Sequence, residues 1–305
     1  MIEKPTVLVL GAGASQPYGF PTSSELRDEI LDNLTPPIES HLSDQIKRFH
    51  IDPYLIQDFY HAILDSDLSS VDAVLEHIPE LSSVGKFVIW FLLKKCERNR
   101  KLNPQENNWY RYLFDRLQDT SPEKFKQNKL SIITFNYDRS IEQYLFKTIN
   151  TLFRRKLDDE KIKEMYSCIP IIHVHGKLGP IHLQEESDLK YELKQSVLDT
   201  LPLKRIQNAI DQIKIIPEEH DNSPEFDEAF DKMKNADKIF FLGFGYYKRN
   251  LERLRVEKLS TKMMWGTGYK LAKTRIIDIK RDWKIIIKSS SEKVLDFFDN
   301  RARLN

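Results

Sequence analysis

The chain has 305 residues, with 47 lysines and arginines against 46 aspartates and glutamates and a formal net charge of +1. Apolar residues make up 40% and charged ones 30%, a globular balance that gives no support to a dominant nucleic-acid or membrane role. Two cysteines, Cys96 and Cys168, cannot build a four-cysteine zinc site and fit a reducing cytoplasm.

The first predicted element is a strand at Val7–Leu10, a continuous apolar run of the kind buried on both faces of a parallel sheet. It is too short for a signal peptide or a membrane span. Residues 1–5 do not read as a charged leader, so a cytoplasmic protein is expected. The strand runs into Gly11-Ala12-Gly13-Ala14-Ser15, a small-residue turn that lets backbone N–H groups approach a ligand. A helix follows over about 22–34. Thr22 or Ser23 is its N-cap, and Glu25 is placed to close a capping box with Thr22. Strand, tight turn and helix start together suit a pyrophosphate. The third position of a G-x-G-x-x-G fingerprint falls on Gln16, and no acidic residue ends a second strand about 20 residues on, which argues against hydride transfer. No Gly-Lys-Ser/Thr is present, so a P-loop is excluded.

Pro36-Pro37 breaks the pattern, and 38–118 reads as almost wholly helical, with starts at Asp52-Pro53 and Ser70 and an apolar helix over Ser82–Lys95. The segment of about 36–128 is read as a helical module inserted into a single domain spanning 1–305. Trp90, Trp109, Tyr110 and Phe114 are assigned to core or interface. The second strand, Leu130–Phe135, ends in Asn136-Tyr137-Asp138, and a helix bearing Ile141, Tyr144 and Leu145 follows. A short apolar run over Ile169–Val174 leads into His175-Gly176. The segment 180–224 is charged and irregular, with a hairpin near Ile181–Leu183 and a helix near 203–213. Lys238–Leu242 is a third buried strand ending in Gly243-Phe244-Gly245. Asn250 is read as capping a helix over Leu251–Leu259. Lys262–Trp265 is strand-like and ends in Gly266-Thr267-Gly268, Trp283–Ile287 is a strand, and Ser291–Asn300 is a helix. Several strands that end in glycine or small polar residues predict a doubly wound, parallel, Rossmann-like α/β sheet with one ligand crevice above the strand ends.

The ordered set GAGAS-x-x-x-G-F-P (Gly11–Pro21), T-x-N-x-D (Thr134–Asp138), V-H-G (Val174–Gly176) and FLGFG (Phe241–Gly245) resembles the sirtuin-like NAD-binding family. Within it, the forms around Gly11–Leu26, Thr134–Asp138 and Leu242–Tyr247 look most like the NAD+-destroying effectors of bacterial antiphage defence. The deacylases of the family carry two zinc-binding cysteine pairs after the histidine. Here no cysteine lies between His175 and Gly243, and Thr22-Ser23-Ser24 stands where deacylases have Asp-Phe-Arg.

The resemblance implies an NAD+ glycohydrolase, with NAD+ as substrate and no metal. Asn136 would contact the nicotinamide ribose or position water, and His175 would be a general base. Asp138 would orient a neighbour or face positive charge on the sugar; an Asp there is also an ordinary N-cap. Gly11, Ala12, Gly13, Ser15, Phe20, Pro21, Thr22, Thr134, Gly243, Phe244, Gly245, Gly266 and Thr267 would line the dinucleotide. His173, His175 and His182 lack a partner at metal-ligand spacing. The resemblance further implies an abortive-infection effector gated by homo-oligomerisation or by a partner such as a HerA-type ATPase, a short Argonaute or a nucleotide-sensing subunit. An ADP-ribosyltransferase, a zinc-free deacylase and a non-catalytic NAD or ADP-ribose sensor remain open.

Overall fold

The computed structural model describes residues 1–304 apart from 69, 120, 181–189, 216–222 and 260. Its centre is a six-stranded, all-parallel sheet in the order β3-β2-β1-β4-β5-β6, a Rossmann-like α/β arrangement. β1 (Thr6–Leu10) leads into the short α1 (Ala12–Ser15) and then α2 (Ser23–Leu34). The predicted capping box is present: Thr22 is the N-cap, its side chain accepts from Glu25 N, and Thr22 N donates to Glu25 Oε2 at 2.8 Å.

Helices fill the chain from there to β2: α3 (Ser40–Arg48), α4 (Pro53–Leu64), α5 (Val71–His77), α6 (Ser82–Cys96), α7 (Trp109–Leu117) and α8 (Pro122–Phe125). Asp52 and Ser70 cap α4 and α5 as read from the sequence. β2 (Leu130–Thr134) is followed by α9 (Ser140–Phe153) and α10 (Asp159–Ser167), then β3 (Ile171–His173). Next come α11 (Gln195–Leu198), α12 (Leu203–Ile210), α13 (Pro224–Lys234) and β4 (Lys238–Leu242). The chain finishes with α14 (Lys248–Arg253), β5 (Met264–Gly266), α15 (Lys273–Trp283), β6 (Ile285–Ile286) and α16 (Val294–Asn300).

Side chains of β1 divide between two cores with a period of two, as a strand requires. Leu8 and Leu10 face one core with Ile132, Phe240 and the helices α2, α6, α7, α9 and α16. Val7 and Val9 face the other with Ile133, Phe241 and the helices α13, α14 and α15. Helices therefore cover both faces of the sheet. The registers align Leu10 with Thr134 and with Leu242, Thr134 with His173, and Phe241 with Gly266, so the strands end at one level. Trp90, Trp109, Tyr110 and Phe114 are all buried core residues, as assigned.

Four readings need correction. Asn250 does not cap a helix. The helix begins at Lys248 after Tyr247, and a 3-10 turn at Val256–Leu259 follows a left-handed Arg255. The last strand is Ile285–Ile286, because Trp283 ends α15. The final helix begins at Val294 rather than Ser291. Helices α10, α13 and α15 were not read from the sequence at all. The hairpin near Ile181–Leu183 lies outside the described residues.

Candidate functional site

The turn after β1 is locked backbone to backbone against the turn after β4. Gly11 N donates to Leu242 O and Gly13 N to Gly243 O, each at 3.0 Å. Gly243 is left-handed (φ 56°), and a Cβ there would lie 2.1 Å from Ala14 N. Only glycine fits that crossing. Ala14 N also turns inward, to Gly11 O at 2.9 Å. Three N–H groups of the expected pyrophosphate turn are thus engaged within the protein.

Above these turns lies a cleft of neighbouring chambers with shared walls. The first, of about 270 Å³, is lined by Gly11, Ala12, Phe135, Asn136, His175, Phe244 and Gly245, by Ser70, Asp72, Ala73 and Glu76 of α5 and its cap, and by the start of α14. The second, of about 330 Å³, holds Gly13, Thr22, Ser23, Ser24, Gly243, Thr267, Lys270 and Lys293. Ala12, Ser23, Phe244, Gly245 and Tyr247 line both. A smaller chamber of about 60 Å³ lies under Ser15, Phe20, Pro21 and Thr22 and contains Asp72, Asn136 and Asp138. Thr134 and Gly266 line none of these three. Thr134 Oγ1 accepts from Asn136 N at 3.1 Å, and a Cβ on Gly266 would meet Tyr246 Oη.

Asn136 is held by its amide. Nδ2 donates to Gly11 O and to Ser15 Oγ, both at 3.0 Å. No donor among the described residues reaches its Oδ1, which stays available to a ligand. From behind, His173 Nδ1 sits 3.0 Å from Asn136 O, and its Nε2 is 2.9 Å from Glu142 Oε2. Burial alone would push the Glu142 carboxyl up, but His173, Lys177 and Arg139 together hold it below the usual range.

His175 is buried between the rings of Phe135 (centroids 5.4 Å) and Phe226 (5.8 Å). Its Nδ1 has no hydrogen-bond partner among the described residues. Burial, with the positive charge of Arg253 beside it, pushes its pKa down to about 4. The imidazole is therefore neutral at pH 7. Asp138 is engaged locally: it accepts from Ser140 N at 2.9 Å and from Ser140 Oγ. Burial pushes its carboxyl up, and Ser140 and Ser15 partly offset that.

The loop is braced by a buried ionic cluster. Arg139 grips Glu97 with two bonds of 2.7 Å and donates to Pro180 O at 2.6 Å. Lys94 bonds the same carboxylate and donates to Tyr191 O at 3.0 Å. Burial pushes Lys94 down to about 8, with Glu97 opposing.

Sequence reading missed Asp72, Glu76, Arg249, Lys270 and Lys293. Asp72 accepts from Tyr137 Oη, and burial pushes its carboxyl above the usual range. Glu76 accepts from Arg253 Nη1 at 2.8 Å and forms an ion pair with Arg249, whose Nε lies 3.4 Å from Oε2.

No family model matches the chain, and no curated protein matches it. Among the described residues no helix is long and apolar enough to cross a membrane, and no three acidic, histidine or cysteine side chains form a metal-binding group.

Proposed function

We propose that the protein is an NAD+ glycohydrolase that releases nicotinamide and leaves ADP-ribose or a cyclic form. The observation that carries this reading is one chamber at the sheet's carboxyl ends that joins Asn136 to a buried, neutral His175, whose Nδ1 has no hydrogen-bond partner among the described residues. The sirtuin-like order of the motifs around those two residues supports it from the sequence side.

The chemistry follows from the substrate. The pyridinium nitrogen is a cationic leaving group on an anomeric carbon. As the C1′–N bond breaks, its electron pair passes to the nicotinamide nitrogen and positive charge moves onto the ribose. Water adds at C1′ and gives its proton to the His175 imidazole. Asn136 Oδ1 accepts from a ribose hydroxyl or from that water. The phosphates would rest at the start of α2, where Ser23 and Ser24 line the second chamber and the first backbone donors of a twelve-residue helix lack helical acceptors. Lys270 and Lys293 add positive charge at that end.

In this reading the biological output is NAD+ depletion during phage infection. A gating partner or homo-oligomer (a HerA-type ATPase, a short Argonaute or a nucleotide-sensing subunit) belongs to the same proposal. The test is nicotinamide release from NAD+ across a range of protein concentrations. Asn136→Ala and His175→Ala should each lose at least about 100-fold in rate, the scale of a lost general base. Release that persists in both variants would overturn the site assignment. Tight NAD+ binding without turnover, even in an assembled complex, would make the protein a sensor instead.

A further inference from the structure

The helical module between α2 and β2 supplies one wall of the chamber that holds Asn136 and His175. Ser70, Asp72, Ala73 and Glu76 stand on that wall. Four carboxylates reach the cleft from its different sides, and their partners differ. Glu25 accepts from Thr22 N and Thr22 Oγ1 in the capping box. Asp138 is bound by both donors of Ser140. Glu76 is neutralised by Arg253 and Arg249. Asp72 accepts from the Tyr137 hydroxyl and from its own backbone N–H. The charge of Arg253 acts on it from a distance, but among the described residues no cation lies within ion-pair distance. It lines both the Asn136–His175 chamber and the smaller chamber beside it. Tyr137, its partner, is the residue between Asn136 and Asp138, so the α5 wall is tied directly to the catalytic loop.

A carboxylate bonded only by neutral donors, with its nearest cation already paired to Glu76, keeps electrostatic capacity for a further cation in contact with it. We propose that Asp72 is the residue that recognises the positive charge of the nicotinamide end of the substrate. This inference rests on the NAD+ reading given above, and it assigns to the inserted module a direct contact with the substrate. The pyridinium ring carries that charge before bond cleavage and the ribose carries it afterwards, so one carboxylate beside the bond serves both states. The Tyr137 hydroxyl fixes the orientation of the carboxylate without cancelling its charge.

The test separates charge from shape. Carba-NAD+ keeps the pyridinium charge but cannot be cleaved at the glycosidic bond. NADH has nearly the same shape and a neutral ring. Affinities of both for the full-length protein would be measured by calorimetry, with wild type, Asp72→Asn and Tyr137→Phe. The wild type should prefer carba-NAD+. Asp72→Asn should weaken carba-NAD+ about tenfold, equivalent to about 1.4 kcal/mol, and leave NADH within about twofold. Tyr137→Phe should retain the preference for the charged ring. The ratio of the two affinities does not depend on the folded fraction, so a destabilised variant still reports. Equal weakening of both ligands would make Asp72 a structural residue and overturn the proposal, as would no change in either. Failure of the wild type to bind both ligands would instead remove the NAD+ reading on which the proposal stands.

Discussion

At the scale of single residues, the governing fact is that His175 is buried, with no hydrogen-bond partner for Nδ1 among the described residues. Its folded pKa lies below the ordinary histidine value, so the unfolded chain binds the extra proton. Stability from this group is fully present above about pH 6.5 and is lost as pH falls toward about 4. Between about pH 7.5 and about pH 5 the wild type should lose about 2 kcal/mol more than His175→Gln. Urea unfolding of the two proteins at both pH values checks this, and equal losses would contradict it. The Asn136 amide supplies a second residue-scale expectation. Asn136→Asp removes the donors to Gly11 O and Ser15 Oγ and places a carboxylate against a carbonyl. That change should cost about 1–3 kcal/mol in thermal or chemical unfolding, whatever its effect on a ligand.

At the scale of elements, the turns after β1 and β4 act as one unit. Gly243→Ala would place a methyl group against the Ala14 N and Gly13 atoms in a left-handed backbone. It should destabilise by about 3 kcal/mol or more, visible as a lowered Tm, and a neutral substitution would mean that the two turns can separate. Both turns were legible in the sequence, because each is a buried apolar strand running into glycine. Other elements were less so. The helix α15 is strongly charged and buries only Ile279, so its apolar periodicity is faint. In α13 the signal was present: Phe226, Ala229 and Met233 are spaced by three and four behind a Ser223 cap. In α10, Ile162, Met165 and Tyr166 follow an Asp158 cap in the same way. Of the cleft, the residues on strand ends were found, since parallel strands bring their carboxyl ends together by construction. Asp72 and Glu76 were not, because a helix more than 50 residues upstream of β2 reaches the cleft only through tertiary docking. Thr134 and Gly266 show the converse, with motif residues that support the cleft from behind without lining it.

At the scale of the molecule, the helices between α2 and β2 share one core with the sheet. Val88, Leu113, Leu8 and Phe240 belong to the same buried cluster. The chain should therefore unfold in a single transition, with calorimetric and van't Hoff enthalpies that agree. Two separated transitions would show an independent helical module. Removing 36–128 should strip α6 and α7 from the core they share with α2, α9 and α16, and no folded protein is expected from it. The shared core also has an optical consequence. Trp109, fully buried in α7, donates its indole N–H to Ala14 O at 2.8 Å, and Tyr18 stacks on Tyr110 at 3.6 Å. The tryptophan is thus bonded to the turn whose Gly11, Ala12 and Gly13 line the cleft. Its emission is a built-in gauge of that turn. The difference spectrum between wild type and Trp109→Phe should register the arrival of a nucleotide without any attached dye.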